Sequence, residues 1–288
     1  MLGKLLKHEW RAVSKVLGIV NLTIVLITMI GCFILNTDIF DQPGAAPLAV
    51  FLVILYALSL MVFSTVTIIY VYVRFYKNLY TAEGYLMHTL PVMPLQLFHS
   101  KFLIGYFWVT LNSLLTMISI MALGFSAGYH TARTGDSENI DEILQELGIL
   151  FTANETAAQD FSFQSIFGFT PVQFIFLLLL MQLFSAFASV MMGYVSILLG
   201  QLVEKYKLAA AIGFYIALYM VTQIITSIVL ILPSITSLIA DTEDTSSAMI
   251  LSDYYRSLFS STTITQLVLG LIFYLVSILL IRRKVNLD

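Results

Sequence analysis

Apolar residues in this chain form six long stretches from which charged side chains are missing. The stretches contain no Asp, Glu, Lys or Arg, and they cover residues 17–36, 48–73, 102–128, 171–200, 208–232 and 258–281. A helix needs about 20 apolar residues to cross a bilayer, and each stretch reaches that length. The pattern therefore predicts an all-α membrane protein with six transmembrane helices. Composition agrees, because 59% hydrophobic and 11% charged residues exclude an ordinary soluble domain.

The charges at the ends of these stretches are sorted by sign. If the spans alternate, 12 of the 14 basic residues lie on one side and 13 of the 17 acidic residues on the other. The positive-inside rule then predicts that both termini are cytoplasmic. We expect the cytoplasmic cations to lie among anionic lipids, and we expect no nucleic-acid partner. The basic residues on that side are Lys4, Lys7, Arg11, Lys15, Arg74, Lys77, Lys101, Lys205, Lys207, Arg282, Arg283 and Lys284.

Residues 1–17 are amphipathic and predict an additional helix that lies in the membrane interface. Glu9 is the exception in this pattern, because it points into the apolar arc. Its carboxylate either reaches the headgroups or a nearby Lys, or it forms an ion pair with a cytoplasmic base such as Arg74 or Lys101. The apolar face holds Leu2, Leu6, Trp10, Val13 and Leu17, and the opposite face holds Lys4, Lys7, Arg11 and Lys15.

The cytoplasmic loop over 74–101 contains a second amphipathic pattern. Phe75, Leu79, Ala82 and Leu86 are spaced as one helical face, and Pro91 prevents the helix from continuing. Such a helix either packs under its own bundle or offers a docking site, since exposed apolar patches mark interaction sites.

Two segments on the outer side are longer than turns. In the first, over 128–170, Asn139 can cap a helix whose apolar stripe begins at Ile140, which predicts a small helical extracellular insertion. The second covers about 233–257 and begins at Pro233.

The sequence lacks the motifs of an enzyme. It contains no G-x-x-x-x-G-K-[ST] loop for ATP, no G-x-S-x-G nucleophile motif and no His or Cys spacing typical of a metal site. We therefore predict no catalytic residue, metal site or cofactor in this chain. Ionisable groups at membrane depth are typical of ion-coupled transporters, and their absence from the spans favours energy supplied from outside the membrane.

Uncharged polar residues remain in the spans. They either form hydrogen bonds between helices or line a translocation path, and an amphipathic path would suit a peptide or lipid-like substrate. The path-lining candidates are Asn112, Thr116, Gln182 and Gln223.

Several segments taken together resemble one protein family. They are KLLKHEWRA near the N-terminus, NLYTAEGYLMHTLPV followed by HSK, the turn GQLVEKYKL and the ending RRKVNLD. The chain resembles the transmembrane permease subunit of type-2 ABC exporters, of the small six-span Gram-positive type. The resemblance implies an elbow helix at 1–17 and a coupling helix within about 76–90 that docks on a separate ATPase subunit. Its implied docking residues are Leu79, Glu83, Gly84, Tyr85 and Leu86.

The resemblance also implies a bacterial cell membrane, a mechanism and partners. The chain would act as a homodimer or beside a second permease, and ATP and Mg²⁺ would be bound by two partner ATPase subunits. The alternative is a membrane-embedded ligand-binding or sensor component without a translocation path.

Overall fold

The computed structural model describes residues 2–37, 46–80, 94–134, 167–239 and 247–284, and nearly all of these residues are helical. Each of the six helices is long and apolar enough to cross a membrane, so the prediction of an all-α membrane protein with six candidate spans is confirmed. The helices are α1 (Leu2–Leu35), α2 (Ala46–Tyr80), α3 (Pro94–Thr134), α4 (Pro171–Gly200), α5 (Lys207–Ile239) and α6 (Ser247–Lys284).

The chain divides into two compact units. The first consists of Met1–Ser137 and Ile278–Asp288, and the second of Glu138–Ser277. The first unit therefore contains α1, α2 and α3, and the second contains α4, α5 and most of α6.

In the first unit, α1 and α3 run in the same direction. Three pairs establish this, because their residue numbers rise together along both helices: Glu9 with Lys101, Asn21 with Asn112, and Asn36 with Ser126. Helix α2 is antiparallel to both. Its Arg74 contacts Glu9, whereas its earlier residue Tyr56 contacts Ser119, much further along α3.

This arrangement places the N-terminal ends of α1 and α3 beside the C-terminal end of α2. The basic residues of the first three helices, apart from Arg133, lie at this end. We call it the basic end of the first unit. Its basic residues are Lys4, Lys7, Arg11, Lys15, Arg74, Lys77 and Lys101.

The second unit also has parallel first and third helices. Phe174 contacts Phe259 and Phe187 contacts Tyr274, so α4 and α6 run in the same direction. The turn after α4 is tight: a Cβ on Gly200 would lie 2.6 Å from the Cβ of Ala211, and only the absence of a side chain permits this approach.

The structure differs from the sequence-based prediction at the N-terminus. Residues 2–17 are not a separate helix but the first half of α1, which continues without a break to Leu35. The physical reason is that the apolar stripe does not stop after residue 17. Val13, Leu17, Asn21 and Ile24 are all buried at spacings of three or four residues, so one face serves both halves of the helix. Placement of the first half in the membrane interface stays a prediction.

Two of the predicted connecting segments are partly helical. Helix α2 extends to Tyr80 and α3 begins at Pro94, and residues 81–93 of the predicted loop over 74–101 lie outside the described residues. Helix α5 continues through Pro233 to Ile239, and transmembrane helices tolerate proline because neighbouring groups can satisfy the freed carbonyl. Most of 233–257 is therefore helical. The predicted insertion helix after Asn139 lies outside the described residues.

Candidate functional site

One carboxylate joins all three helices at the basic end of the first unit. Oε2 of Glu9 accepts hydrogen bonds from Nε and Nη2 of Arg74 at 3.2 and 3.0 Å. Its Oε1 accepts from Nδ2 of Asn78 at 3.2 Å and from Nζ of Lys101 at 2.6 Å. Because Glu9 belongs to α1, Arg74 and Asn78 to α2, and Lys101 to α3, the four residues form one connection between three helices. We call these four residues the Glu9 cluster.

The Glu9 cluster is largely shielded from solvent. Glu9 and Lys101 are each 5% exposed and Asn78 is 7% exposed, while the side chain of Arg74 keeps 24% of its exposure. A buried carboxylate is stable only when charged partners and hydrogen bonds replace its water. Glu9 has two cations and an amide, so both of its oxygens are satisfied. The sequence left two interpretations of Glu9 open. The structure shows the ion pair, which Glu9 forms with both Arg74 and Lys101.

Two ring contacts join the same three helices. Phe75 and Phe98, which are 2% and 1% exposed, meet edge to face at 6.1 Å and join α2 to α3. Trp10 contacts Trp108 at 5.4 Å between ring centroids and joins α1 to α3. Edge-to-face and tilted ring pairs contribute about 0.5–1.5 kcal/mol each beyond the area they bury. The three helix ends are thus held by apolar packing as well as by charge.

The Glu9 cluster lies outside the charge-free segments of the three helices. Charge-free segments begin at residue 17 in α1 and at residue 102 in α3, and one ends at residue 73 in α2. Arg74 and Lys101 lie directly beyond the ends of these segments, and Glu9 lies eight residues before the first of them. An ion pair in that position avoids the high cost of burying charge at the centre of a bilayer.

All five predicted docking residues lie between Asn78 and Lys101 in the chain. Leu79 lies in the last turn of α2, next to Asn78, and is half-buried. Glu83, Gly84, Tyr85 and Leu86 lie outside the described residues.

The four path-lining candidates fall in different places. Asn112 is 3% exposed and donates from Nδ2 to Oδ1 of Asn21 at 3.0 Å. Thr116 donates to the carbonyl oxygen of Asn112 at 2.9 Å, and its hydroxyl lies 3.4 Å from that of Ser64 in α2. In the second unit, Gln182 in α4 is half-buried and Gln223 in α5 is exposed.

Asn112 and Thr116 belong to a line of polar contacts between α1, α2 and α3. Ser119 contacts the hydroxyls of Thr28 and Tyr56, and Ser126 accepts from Nδ2 of Asn36 at 3.0 Å. Polar residues that bridge helices in this way hold membrane bundles together. We call this set of contacts the polar ladder.

Sequence reasoning did not single out Asn78, Tyr56 or the serines of the polar ladder. A signal for the serines is present, since Asn112, Ser119 and Ser126 follow one another at intervals of seven residues. Seven residues are close to two helical turns, so the three side chains share one face. Asn78 has no comparable signal.

Two further findings concern what the chain is similar to and what it could bind. Within the described ranges, no three His, Cys, Asp or Glu side chains come together as a metal site would require. No protein-family model, curated protein or solved structure matches the chain.

Proposed function

We propose that this chain is the membrane-spanning subunit of an ABC exporter that moves an amphipathic substrate, such as a peptide, an antimicrobial or a lipid-like molecule, outward. The observation that carries the proposal is the distribution of ionisable side chains. The six charge-free stretches fall in the six helices that can cross a membrane. Ion-coupled transporters depend on ionisable groups at membrane depth. A transporter without them is better suited to energy that reaches it from outside the membrane.

The energy source would be a separate ATPase subunit. Because the sequence has no phosphate-binding loop, ATP and Mg²⁺ would be bound by that partner. Its docking site would include Leu79, Glu83, Gly84, Tyr85 and Leu86 in the cytoplasmic loop. Two permeases, identical or different, would face each other and open a path outward when the ATPase pair closes.

The Glu9 cluster supports this location for the docking site. Residues 81–93 connect α2 to α3, and these are two of the helices that Glu9 joins. A force applied to this segment would therefore act on helix ends that are already connected to each other, which is what a coupling element needs.

The test is to purify the chain from its native membrane and to ask whether an ATPase with a phosphate-binding loop purifies with it. Leu86→Asp should lower the recovered ATPase strongly, because an uncompensated carboxylate in an apolar contact is costly. Leu202→Asp is the matched control, since Leu202 is an exposed leucine in the turn between α4 and α5. The control variant should keep the ATPase.

The opposite result has a clear meaning. If the wild-type chain brings no ATPase with it but still binds ligands added from outside, the exporter proposal is wrong and a membrane-embedded sensor becomes the better explanation. If both variants lose the ATPase equally, docking is not confined to the loop around Leu86.

A further inference from the structure

We infer that Glu9 is a positioning residue that fixes the two helices flanking residues 81–93 to α1, so that the three helix ends move as one body. The functional consequence of this inference rests on the proposed function, in which an ATPase subunit exerts force on residues 81–93. Its structural part concerns α1, α2 and α3 alone.

The first argument is the geometry of the Glu9 carboxylate. Both oxygens are used, and each serves donors from outside α1. Charge-assisted hydrogen bonds such as those from Arg74 and Lys101 are about twice as strong as neutral ones. A displacement of α2 or α3 relative to α1 would stretch at least one of them in surroundings with little water to replace it.

The second argument is the place of the donors in the chain. Arg74 and Asn78 lie in the last two turns of α2, and Lys101 lies in the second turn of α3. These are the parts of the two helices that any movement of residues 81–93 reaches first. Glu9 lies about 65 and 92 residues away from Arg74 and Lys101 in sequence, so it supplies a connection that the chain itself does not provide.

The third argument is that α1 and α3 share contacts other than those of Glu9. Asn21 and Asn112 join α1 to α3 further from the basic end than the Glu9 cluster, and Trp10 packs on Trp108. The end of α2 meets α1 through the hydrogen bonds that Glu9 accepts from Arg74 and Asn78, and it meets α3 where Phe75 packs on Phe98. Loss of the α2 donors should therefore loosen α2 from α1 and leave the α1–α3 pair in place.

The experiment measures distances in the chain alone, with Cys32 replaced by Ser. Spin labels are placed at Val16 in α1, Val73 in α2 and Leu103 in α3, which are all exposed. Glu9→Gln should broaden the distance distribution between α2 and α3 and shift it to longer values, because the mutual repulsion of Arg74 and Lys101 is then no longer offset by the carboxylate. Arg74→Met combined with Asn78→Leu should broaden the α1–α2 distribution and leave the α1–α3 distribution narrow.

A broadened α1–α2 distribution beside a narrow α1–α3 distribution distinguishes a residue that positions α2 from one that stabilises the whole unit. A residue that merely stabilises the unit would broaden all three distributions together in both variants. That result, or unchanged distributions in both variants, overturns the inference. The double variant keeps the test decisive if Glu9→Gln does not fold.

The functional consequence is measured in the complex with the ATPase. Substrate-stimulated ATP hydrolysis, relative to the basal rate of the same complex, should fall about tenfold in Glu9→Gln, within the usual range of coupling between sites. Full stimulation in a variant whose distances have broadened would overturn the coupling role. If no ATPase purifies with the wild-type chain, the proposed function fails, and the distance measurements still decide whether Glu9 positions the helices.

Discussion

The two units share a helix order but are held together in different ways. In the first unit, the parallel helices α1 and α3 are joined by the Glu9 cluster and by side-chain hydrogen bonds such as that between Asn21 and Asn112. In the second unit, the parallel helices α4 and α6 meet at aromatic ring pairs and at Gly270, where an added Cβ would overlap the ring of Phe187.

The difference indicates which kind of change each unit can tolerate. In a membrane the hydrophobic effect does not drive helices together, so their association depends on close packing and on hydrogen bonds. A unit held by directional polar contacts should be sensitive to the loss of one charge or amide. A unit held by close packing should instead be sensitive to the addition of a methyl group.

The largest expected effect is that of Glu9→Met in the first unit. The change leaves the buried Lys101 and the half-buried Arg74 without the carboxylate that both contact. Removal of one partner from a buried ionic group costs about 3–5 kcal/mol, and we expect the free energy of unfolding of the first unit to fall by this amount. The measurement is the reaction of Cys32, a half-buried thiol in α1, with a thiol reagent across a denaturant series.

The control replaces the whole ionic group by methionine at positions 9, 74 and 101. Apolar replacement of a complete buried ionic group is often neutral or stabilising, so the triple variant should recover most of the lost stability. If it is as unstable as Glu9→Met, shape rather than charge balance explains the effect.

A smaller effect is expected for Gly270→Ala in the second unit. Its Cβ would overlap Phe187 and lie 3.3 Å from Cα of Ala188. Such overpacking costs about 1–3 kcal/mol. The probe is the rate of thiol labelling at Ser196→Cys, a buried position in α4, with Cys32 replaced by Ser.

Gly213→Ala is the matched control for this prediction. It makes the same chemical change in α5, where an added Cβ meets nothing within 4 Å, and it should leave labelling unchanged. Equal labelling of the two alanine variants would contradict the view that close packing at Gly270 joins α4 to α6.

The sequence predicted the spans better than the contacts between them. Six charge-free stretches were sufficient to predict six helices, because length and the absence of charge are local properties. The partners of Glu9 remained open, since Arg74 and Lys101 became neighbours only through the register of three helices, which apolar periodicity does not encode. Amphipathicity correctly placed Val13, Leu17 and Glu9 on one face of residues 1–17, but it did not reveal that this face continues past residue 17 along α1.

The smallest expected effect distinguishes the two interpretations of Asn112, as a contact between helices or as part of a path. Asn112→Leu removes the donor to Asn21 and leaves a buried amide oxygen unsatisfied. Interhelical hydrogen bonds in membranes contribute about 0.6 kcal/mol on average and up to about 1.7 kcal/mol, so Cys32 labelling should show a loss in that range. Adding Asn21→Leu should restore stability, because replacing both partners by apolar groups is nearly neutral. If Asn112→Leu instead alters transport while unfolding is unchanged, the residue lines a path, and the polar ladder is not simply a means of holding the first unit together.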